Sequence, residues 1–168
     1  MDTRLPEELL KRPAYWLAQA RREMERDDPR AAKSSLGLMD RALDDSAKIG
    51  TIVEAEILKT SDADVDAFRA DVLKAIPAQW LTEARRGMER GDPQSARSSL
   101  VFVNLALEDL RQANVPFTQA EILKTSDADL AAFRANVANG VAATKTPQKT
   151  AAQEASETAG PRIMIPTP

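Results

Sequence analysis

Apolar residues recur along the chain with the period of an α-helix, and the same pattern occurs twice. After Pro13 and after Pro77, apolar side chains repeat at positions i, i+3 and i+7, so they share one helical face. Proline suits the first turn of a helix because its missing N–H would be unpaired there anyway. The pattern therefore predicts a helix starting at each proline. The two stripes are Leu17, Ala20, Met24 and Leu81, Ala84, Met88.

Each first helix leads through a turn into a second amphipathic helix. The turns contain Asp28-Pro29 and Asp92-Pro93, in which the aspartate can cap the next helix and the proline can take its first position. We expect the two helices of each copy to pack antiparallel as a hairpin. Their apolar positions are Ala32, Leu36, Met39 and Leu43 in the first copy and Ala96, Leu100, Val103, Leu107 and Leu110 in the second.

A third helix is predicted to begin at Ser61 and again at Ser126. Each serine is followed three residues later by an aspartate, which is a variant of the capping box. A short helix is expected at the AEIL sequence that precedes each serine, and Pro116 predicts a break before the second AEIL. The apolar series of the third helices are Val65, Phe68, Val72 and Leu130, Phe133, Val137.

These helices belong to an internal duplication. Shifted by 64 residues, positions 13 to 49 match at 19 of 37 places, and shifted by 65, positions 55 to 72 match at 15 of 18. A period above 50 residues indicates a small multi-helix module. The predicted fold is therefore all-α, a tandem duplication of a three-helix unit (a helix hairpin plus a third helix) in an α-solenoid-like array. The predicted parts are a capping helix at 1–12, repeat units at 13–76 and 77–140, and a tail at 141–168.

The tail differs from the repeats in composition. It is small, polar and rich in proline, and too little apolar surface is present to offset the entropy of ordering it. We predict that it is disordered. Its one apolar cluster, Ile163, Met164 and Ile165, is either a frayed end or a short motif that binds a partner's groove or strand edge.

Composition excludes several classes of function. The chain has no His and no Cys, which removes Ser-His-Asp and Cys-His catalysis, His- or Cys-ligated zinc, iron–sulfur clusters and disulfides. Its 23 basic and 26 acidic residues give no overall attraction to nucleic acid or to an anionic membrane. No apolar run is long enough to cross a bilayer. We expect a cytoplasmic protein that is not an enzyme and uses no metal or cofactor.

The hairpin of each copy resembles that of the tetratricopeptide family. Trp16, Ala20, Ala32 and Leu36 stand where that family places Trp, a small residue, Ala and a large apolar residue, and Trp80, Ala84, Ala96 and Leu100 repeat the arrangement. Three features depart from the family. Polar Gln19 and Glu83 replace a Leu, no proline closes the second helix, and the repeat is nearly twice the usual length. By analogy alone, the resemblance implies a binding scaffold.

The segment ARRxMER provides the clearest candidate binding residues. One interpretation is a solvated helix face with an ion pair between Arg21 and Glu25, four residues apart. The other is a docking patch for an acidic partner, because arginine makes bidentate contacts to carboxylate and phosphate. The candidate arginines are Arg21, Arg22, Arg26 and Arg85, Arg86, Arg90.

Two further pairs of residues have both a structural and a binding interpretation. Trp16 and Trp80 either pack helices together or act as anchors for a partner. The identical AEILKTSDAD segments, which contain Lys59 and Lys124, are either a turn and cap with little tolerance for change or a shared binding loop. An aspartate series at Asp62 resembles the opening of a calcium loop, but the required Gly and distal Glu are missing, so no calcium site is predicted.

Three functions compete at this point. The first is a non-enzymatic helical scaffold that binds a protein partner. The second is an amphipathic protein that coats granules or other surfaces, because the Ala-rich helices and the Ala/Lys/Thr/Pro tail resemble phasins. The third is an enzyme that uses only carboxylate, Arg and Lys chemistry, for which no pair of such groups on an apolar face is evident.

Overall fold

The computed structural model describes residues 12–48 and 54–145, and within these ranges the chain forms helices and their connections only. The prediction of an all-helical protein is confirmed for this part of the chain. Residues 1–11 of the predicted capping helix and residues 146–168 of the predicted tail lie outside it. The helices are α1 (Pro13–Glu25), α2 (Pro29–Ala47), α3 (Glu54–Leu58), α4 (Asp62–Glu89), α5 (Pro93–Gln112), α6 (Gln119–Leu123) and α7 (Asp127–Lys145).

The two hairpin turns are capped as predicted. The Asp28 carboxylate accepts a hydrogen bond from the Ala31 N–H at 3.1 Å, and Asp92 accepts one from the Ser95 N–H at 3.0 Å. A proline follows each aspartate in the first turn of the helix. These caps satisfy N–H groups that have no partner inside the helix, so α2 and α5 start at the predicted places.

The third helices also begin as predicted. Ser61 accepts a hydrogen bond from the Asp64 N–H at 3.2 Å, and Ser126 accepts one from the Asp129 N–H at 3.1 Å. Each serine hydroxyl donates in turn to the aspartate carboxylate, at 2.7 and 2.8 Å. The expected short helices are present as α3 and α6, and the break at Pro116 is observed.

The prediction that a helix starts at Pro77 is wrong. Pro77 lies inside the 28-residue helix α4 and is one of the most deeply buried side chains. An interior proline removes one hydrogen bond and crowds the preceding turn. The burial of Pro77 between Ile76, which is 5% exposed, and the apolar stripe that begins at Leu81 offsets that cost. The third helix of the first copy is therefore continuous with the first helix of the second.

Helix α7 extends further than the predicted boundary. It continues through Val141 to Lys145, five residues into the stretch assigned to the tail. Val141 is only 5% exposed and belongs to an apolar cluster with Leu100 and Val137. Burial of this side chain stabilises a turn of helix that composition alone did not indicate.

Two apolar clusters form the interior, and corresponding residues of the two copies divide between them. The first core comprises Leu17, Ala20, Ala32, Leu36, Met39, Leu43, Leu58, Val65, Val72, Ile76 and Ala106. The second core comprises Leu81, Ala84, Ala96, Leu100, Val103, Leu107, Leu110, Ile122, Leu123, Leu130, Val137 and Val141. Helix α4 contributes to both cores, so one continuous helix joins them.

Contacts from α5 and α2 add to this junction. Ala106 of α5 is buried in the first core, although its neighbour Leu107 lies in the second. Lys33 of α2 forms an ion pair with Asp109 of α5 at 2.7 Å. The Trp80 ring lies between Phe102, which stacks on it at 4.5 Å, and the guanidinium of Arg30, which is 4.3 Å from its centroid. The two cores are therefore held together by helix continuity, apolar packing and charge.

Candidate functional site

A polar cavity of about 490 Å³ lies beside α4 and α6 and brings several of the predicted binding residues together. It is closed on one side by the turn between α1 and α2. Its apolar floor includes Leu81, Ile122 and Leu123. We call it the basic cavity, because four cationic side chains and two acidic ones line it: Lys74, Arg85, Arg86 and Lys124, with Asp27 and Glu83.

Hydrogen bonds fix the two arginines at the edge of the basic cavity. Arg85 Nη2 donates to Thr125 Oγ1 at 2.8 Å, and Thr125 Oγ1 donates to the Leu123 carbonyl at 3.1 Å. Arg86 Nη1 lies 2.9 Å from Glu83 Oε1. Because each arginine has five N–H donors, both keep donors available for a ligand. The bond to Thr125 also ties the second half of α4 to the end of α6.

Lys124 reaches the basic cavity through an unusual backbone conformation. It is the C-cap of α6 and adopts the left-handed conformation, with φ 51°, which is uncommon for a residue other than glycine. Lys59 has the same φ in the first copy. Neither Lys74 nor Lys124 forms an ion pair with a residue in the described ranges. The Asp27 carboxylate in the same lining is not in one of these ion pairs either, and with four cationic side chains against two acidic ones the cavity keeps a net positive charge.

One buried acceptor in the basic cavity has no partner within the described chain. Gln79 lines the cavity, and its side-chain Oε1 is buried without a hydrogen bond from any described residue. A buried, unsatisfied amide oxygen is costly. This oxygen has essentially no exposed surface, so it is not accessible to a ligand in the cavity.

The corresponding residues of the first copy are arranged differently. Arg21 lies 5.9 Å from the centroid of the Phe68 ring, and Arg22 Nη2 donates to Gln19 Oε1 at 2.8 Å. The expected ion pair between Arg21 and Glu25 is not among the ion pairs of the described residues. Arg22 thus makes the counterpart of the Arg86–Glu83 contact with a neutral partner, whereas the Arg85–Thr125 bond is replaced by the contact of Arg21 with Phe68.

The remaining predicted residues lie apart from the basic cavity. Arg26 and Arg90 are exposed C-caps of α1 and α4. Trp16 packs against the first core, and Trp80 packs against both cores. Ile163, Met164 and Ile165 lie outside the described residues. The structure therefore brings Arg85, Arg86 and Lys124 together at the basic cavity. The other candidate residues in the described ranges lie elsewhere.

Sequence reasoning did not identify Lys74 or Gln79 as site residues. Lys74 precedes Pro77, where a helix was predicted to start, and it shares a helix with Arg85 only because α4 continues through the proline. Gln79 lies on the predicted helix, but an uncharged side chain there gave no sequence signal of a site. The apolar stripe changes face between Ile76 and Leu81, which are five residues apart, so the apolar pattern gave no sign that one helix continues through Pro77.

Two grooves lie at corresponding places in the two copies. The first groove, about 230 Å³, lies between α2 and α4, and the second, about 470 Å³, lies between α5 and α7. At the offsets of 64 and 65, every residue that lines the first groove corresponds to a residue that lines the second. The seven residues of the first are Lys33, Leu36, Gly37, Asp40, Arg69, Val72 and Leu73, and their counterparts are Arg97, Leu100, Val101, Asn104, Arg134, Val137 and Ala138.

A polar pair of side chains crosses each groove, and the two pairs differ in net charge. In the first groove, the Arg69 guanidinium binds both carboxylate oxygens of Asp40, with Nη1 to Oδ2 at 2.9 Å. The hydrogen bond to Asp40 raises the pKa of Arg69 above its ordinary value. In the second groove, Arg134 Nη2 donates to the Asn104 amide oxygen at 2.8 Å. The second groove therefore keeps the arginine and lacks the neutralising carboxylate.

The described residues contain no cluster of three or more acidic, His or Cys side chains placed to hold a metal ion. No helix within ranges 12–48 and 54–145 has the length and hydropathy needed to cross a membrane. No protein-family model matches the chain, and comparisons with curated proteins and with solved structures gave no match. The function is therefore argued from the geometry alone.

Proposed function

We propose that this chain is a non-enzymatic helical scaffold that binds an acidic segment of a protein partner at the basic cavity. The observation that carries the proposal is the convergence of Arg85, Arg86 and Lys124 with Lys74 around one cavity. Arginine pairs with carboxylates through two parallel N–H donors. An acidic side chain in an extended peptide or loop could therefore bind at the cavity edge.

The apolar side chains that line the basic cavity favour a peptide over a free inorganic anion as its ligand. A peptide carries apolar atoms close to each acidic side chain. Leu81, Ile122 and Leu123 provide an apolar surface on which its other atoms can pack. A free inorganic anion would satisfy the cations and leave the apolar side chains of the cavity without a partner.

The arrangement of the cores supports the scaffold part of the proposal. Corresponding residues of the two copies, such as Leu17 and Leu81, occupy separate cores joined by α4. That pattern is what a tandem duplication stacked as an α-solenoid-like body would produce, because each repeat packs mainly on its neighbour. The duplicated arrangement and a cytoplasmic location are part of this proposal. The two copies then present similar surfaces, of which the second carries the basic cavity.

Burial weighs against the phasin-like alternative. A protein that coats an apolar surface keeps a broad apolar face available. In the described chain, the apolar stripes of the helices are closed into cores, and four large apolar side chains remain exposed. These are Leu38, Val101, Phe102 and Leu105.

Affinity capture from a lysate with matched baits tests the proposal. One bait is the full chain, and a second carries Arg86→Glu with Lys124→Glu. The control carries Arg22→Glu with Lys59→Glu, which changes the same residue types at the corresponding positions of the first copy. We expect the partner to be depleted at least about tenfold from the second bait, because each reversal replaces attraction by repulsion, and to be retained by the control.

A fourth bait, which ends at Lys145, separates the basic cavity from the tail. If the partner is lost only from this bait, it binds residues 146–168, and the proposal is wrong. Equal loss from both charge-reversed baits would show that binding depends on net charge and not on the cavity. Failure of every bait to enrich any protein would contradict the scaffold function itself.

A further inference from the structure

Two residues of opposite charge reach the basic cavity from turns with a left-handed backbone. Asp27, between α1 and α2, has φ 58°, and Lys124, at the end of α6, has φ 51°. Within ranges 12–48 and 54–145, four non-glycine residues have such a backbone, and these two line the cavity. Residues held in this conformation cluster at ligand-binding and active sites. The cavity thus contains one acid and one base that are each held at a conformational cost.

The turn that contains Asp27 does not require an aspartate. The Asp27 N–H donates to the Met24 carbonyl at 3.0 Å, in a helix ending that glycine favours because it has no β-carbon. The second copy makes the same turn with Gly91, at φ 71°, whose N–H donates to the Met88 carbonyl at 3.0 Å. The cap of α2 comes from Asp28. The formation of the turn therefore does not explain the Asp27 carboxylate.

The Asp27 carboxylate also has no partner among the cations of the basic cavity. It takes part in none of the ion pairs of the described residues, and neither do Lys74 and Lys124. Glu83, the other acid of the lining, is already paired with Arg86 at 2.9 Å. Unpaired charges of both signs therefore line one cavity, because the elements that carry them hold them apart.

We propose that the ligand of the basic cavity is an acidic segment that carries one basic residue, and that Asp27 binds this basic residue. The inference rests on the proposed function and adds a second charge to its ligand. Arg85, Arg86 and Lys124 bind the acidic side chains. Asp27 accepts hydrogen bonds from an ammonium or guanidinium group of the same segment. The lining has four cations and two acids, so the segment is acidic overall.

A purely acidic segment complements this lining less well. It would cover the Asp27 carboxylate without giving it a partner, and a charge that loses water without gaining a partner is costly. It would also bring carboxylates close to a like charge, which destabilises an interface. One lysine or arginine at the right place in the segment removes both costs. Asp27 is therefore a selectivity residue, which favours mixed-charge segments over purely acidic ones.

Peptide binding to the full chain tests the proposal. The reference probe is hexaglutamate, and a set of related peptides replaces one glutamate at a time by lysine. Fluorescence anisotropy in low-salt buffer gives the affinity of each peptide. We expect one or more of the lysine peptides to bind at least about threefold more tightly than hexaglutamate, because the lysine pairs with Asp27. Attraction to net charge alone predicts the opposite order, since each lysine peptide is less acidic.

Two substitutions of Asp27 separate its charge from its backbone. Asp27→Asn removes the charge and keeps a side chain that tolerates the left-handed conformation, and Asp27→Gly removes the side chain. We expect both variants to bind hexaglutamate about twofold to fivefold more tightly, because a like charge is gone. Both should bind the preferred lysine peptide at least about threefold more weakly, because its cation has lost its partner.

The matched control is Gly91→Asp, which places the same acid in the same turn of the second copy. Gly91 does not line the basic cavity. We expect this variant to melt at a lower temperature than the natural chain, since the turn favours glycine, and to keep the natural order of peptide affinities. A reversed order in the control would show that the preference follows total charge, and the inference would be wrong.

The remaining outcomes separate this inference from the proposed function. If hexaglutamate binds and every lysine peptide binds more weakly, the inference is wrong and the acidic-segment site stands. The same holds if both Asp27 variants keep the natural order of affinities. If no peptide binds the natural chain or any variant, the acidic-segment site is itself wrong, and the inference fails with it.

Discussion

Gly87 of α4 packs directly against the backbone of α5 at Ala96, since a β-carbon at position 87 would lie 2.9 Å from the Ala96 backbone nitrogen. The first copy has Glu23 at the corresponding position. There the Glu23 carboxylate accepts a hydrogen bond from the Ser35 hydroxyl at 2.7 Å. Two hairpins with similar sequences thus join their helices in different ways, one by close backbone packing and one by a side-chain hydrogen bond.

The Gly87 contact predicts the result of a glycine substitution. Alanine normally favours a helix over glycine by about 1 kcal/mol, but at Gly87 its β-carbon would meet the backbone of α5. We expect Gly87→Ala to lower the free energy of unfolding by about 1–2 kcal/mol. Gly37 in α2 is the control, because a β-carbon there has nothing within 4 Å. Gly37→Ala should stabilise the protein by about 0.5–1 kcal/mol. Urea titrations in which Gly87→Ala is the more stable of the two variants would refute the close packing.

Lys124 combines a conformational cost with a role in the basic cavity. A left-handed residue is usually glycine, and an L-residue there is less stable. Lys124→Gly should therefore raise the free energy of unfolding by about 0.5–1 kcal/mol and should weaken capture of the acidic partner. Lys59→Gly should bring a similar gain in stability without the loss of binding. A Lys124→Gly variant that binds fully would show that this lysine serves structure alone.

The polar pairs of the two grooves predict a reciprocal exchange. Asp40→Asn should leave Arg69 with a neutral partner, and Asn104→Asp should give Arg134 a charged one. The side chains of Arg69 and Asp40 are 32% and 47% exposed, so solvent screening limits each effect to about 0.5 kcal/mol. We expect a loss in the first variant and a gain in the second, both reduced in 1 M salt. If thermal melts show that both variants are stabilised, or that both are destabilised, the polar pairs of the two grooves do not play corresponding roles.

Trp80 predicts how strongly the two cores depend on each other. It packs against both cores and lies between Arg30 and Phe102, whereas Trp16 packs against the first core alone. We expect Trp80→Ala to cost about 2–4 kcal/mol and Trp16→Ala to cost less. Denaturant unfolding followed by circular dichroism measures both. A smaller loss at Trp80 would mean that the junction contributes little to stability.

Sequence reasoning succeeded wherever one local rule determined the structure. Asp28 and Ser61 mark helix starts through hydrogen bonds to residues three positions later, and such bonds need no tertiary contact. It failed at Pro77, where the local preference of proline was overridden by burial. It also ended the last helix too early at Val141, because only the tertiary structure shows that this side chain reaches the second core.

The candidate site was predictable only in part. The arginines of ARRxMER were predicted to suit an acidic partner, and Lys124 was named as part of either a structural turn or a shared binding loop. Lys74 joins them through the continuity of α4, which the helix start predicted at Pro77 concealed. The difference between the two copies, in which Arg85 bonds Thr125 and Arg21 lies near Phe68, depends on side-chain packing that a repeat alignment does not contain.

The most direct test of the central claim is hydrogen exchange on the full chain, with and without an oligoglutamate peptide as the acidic probe. We predict that the peptide slows amide exchange in α6 and in α4 around Gln79 to Arg86, and that the corresponding residues of α1 and α3 are unaffected. Salt should remove the effect, since it depends on charge. Equal protection of both copies, or protection of neither, would contradict an acidic-segment site at the basic cavity.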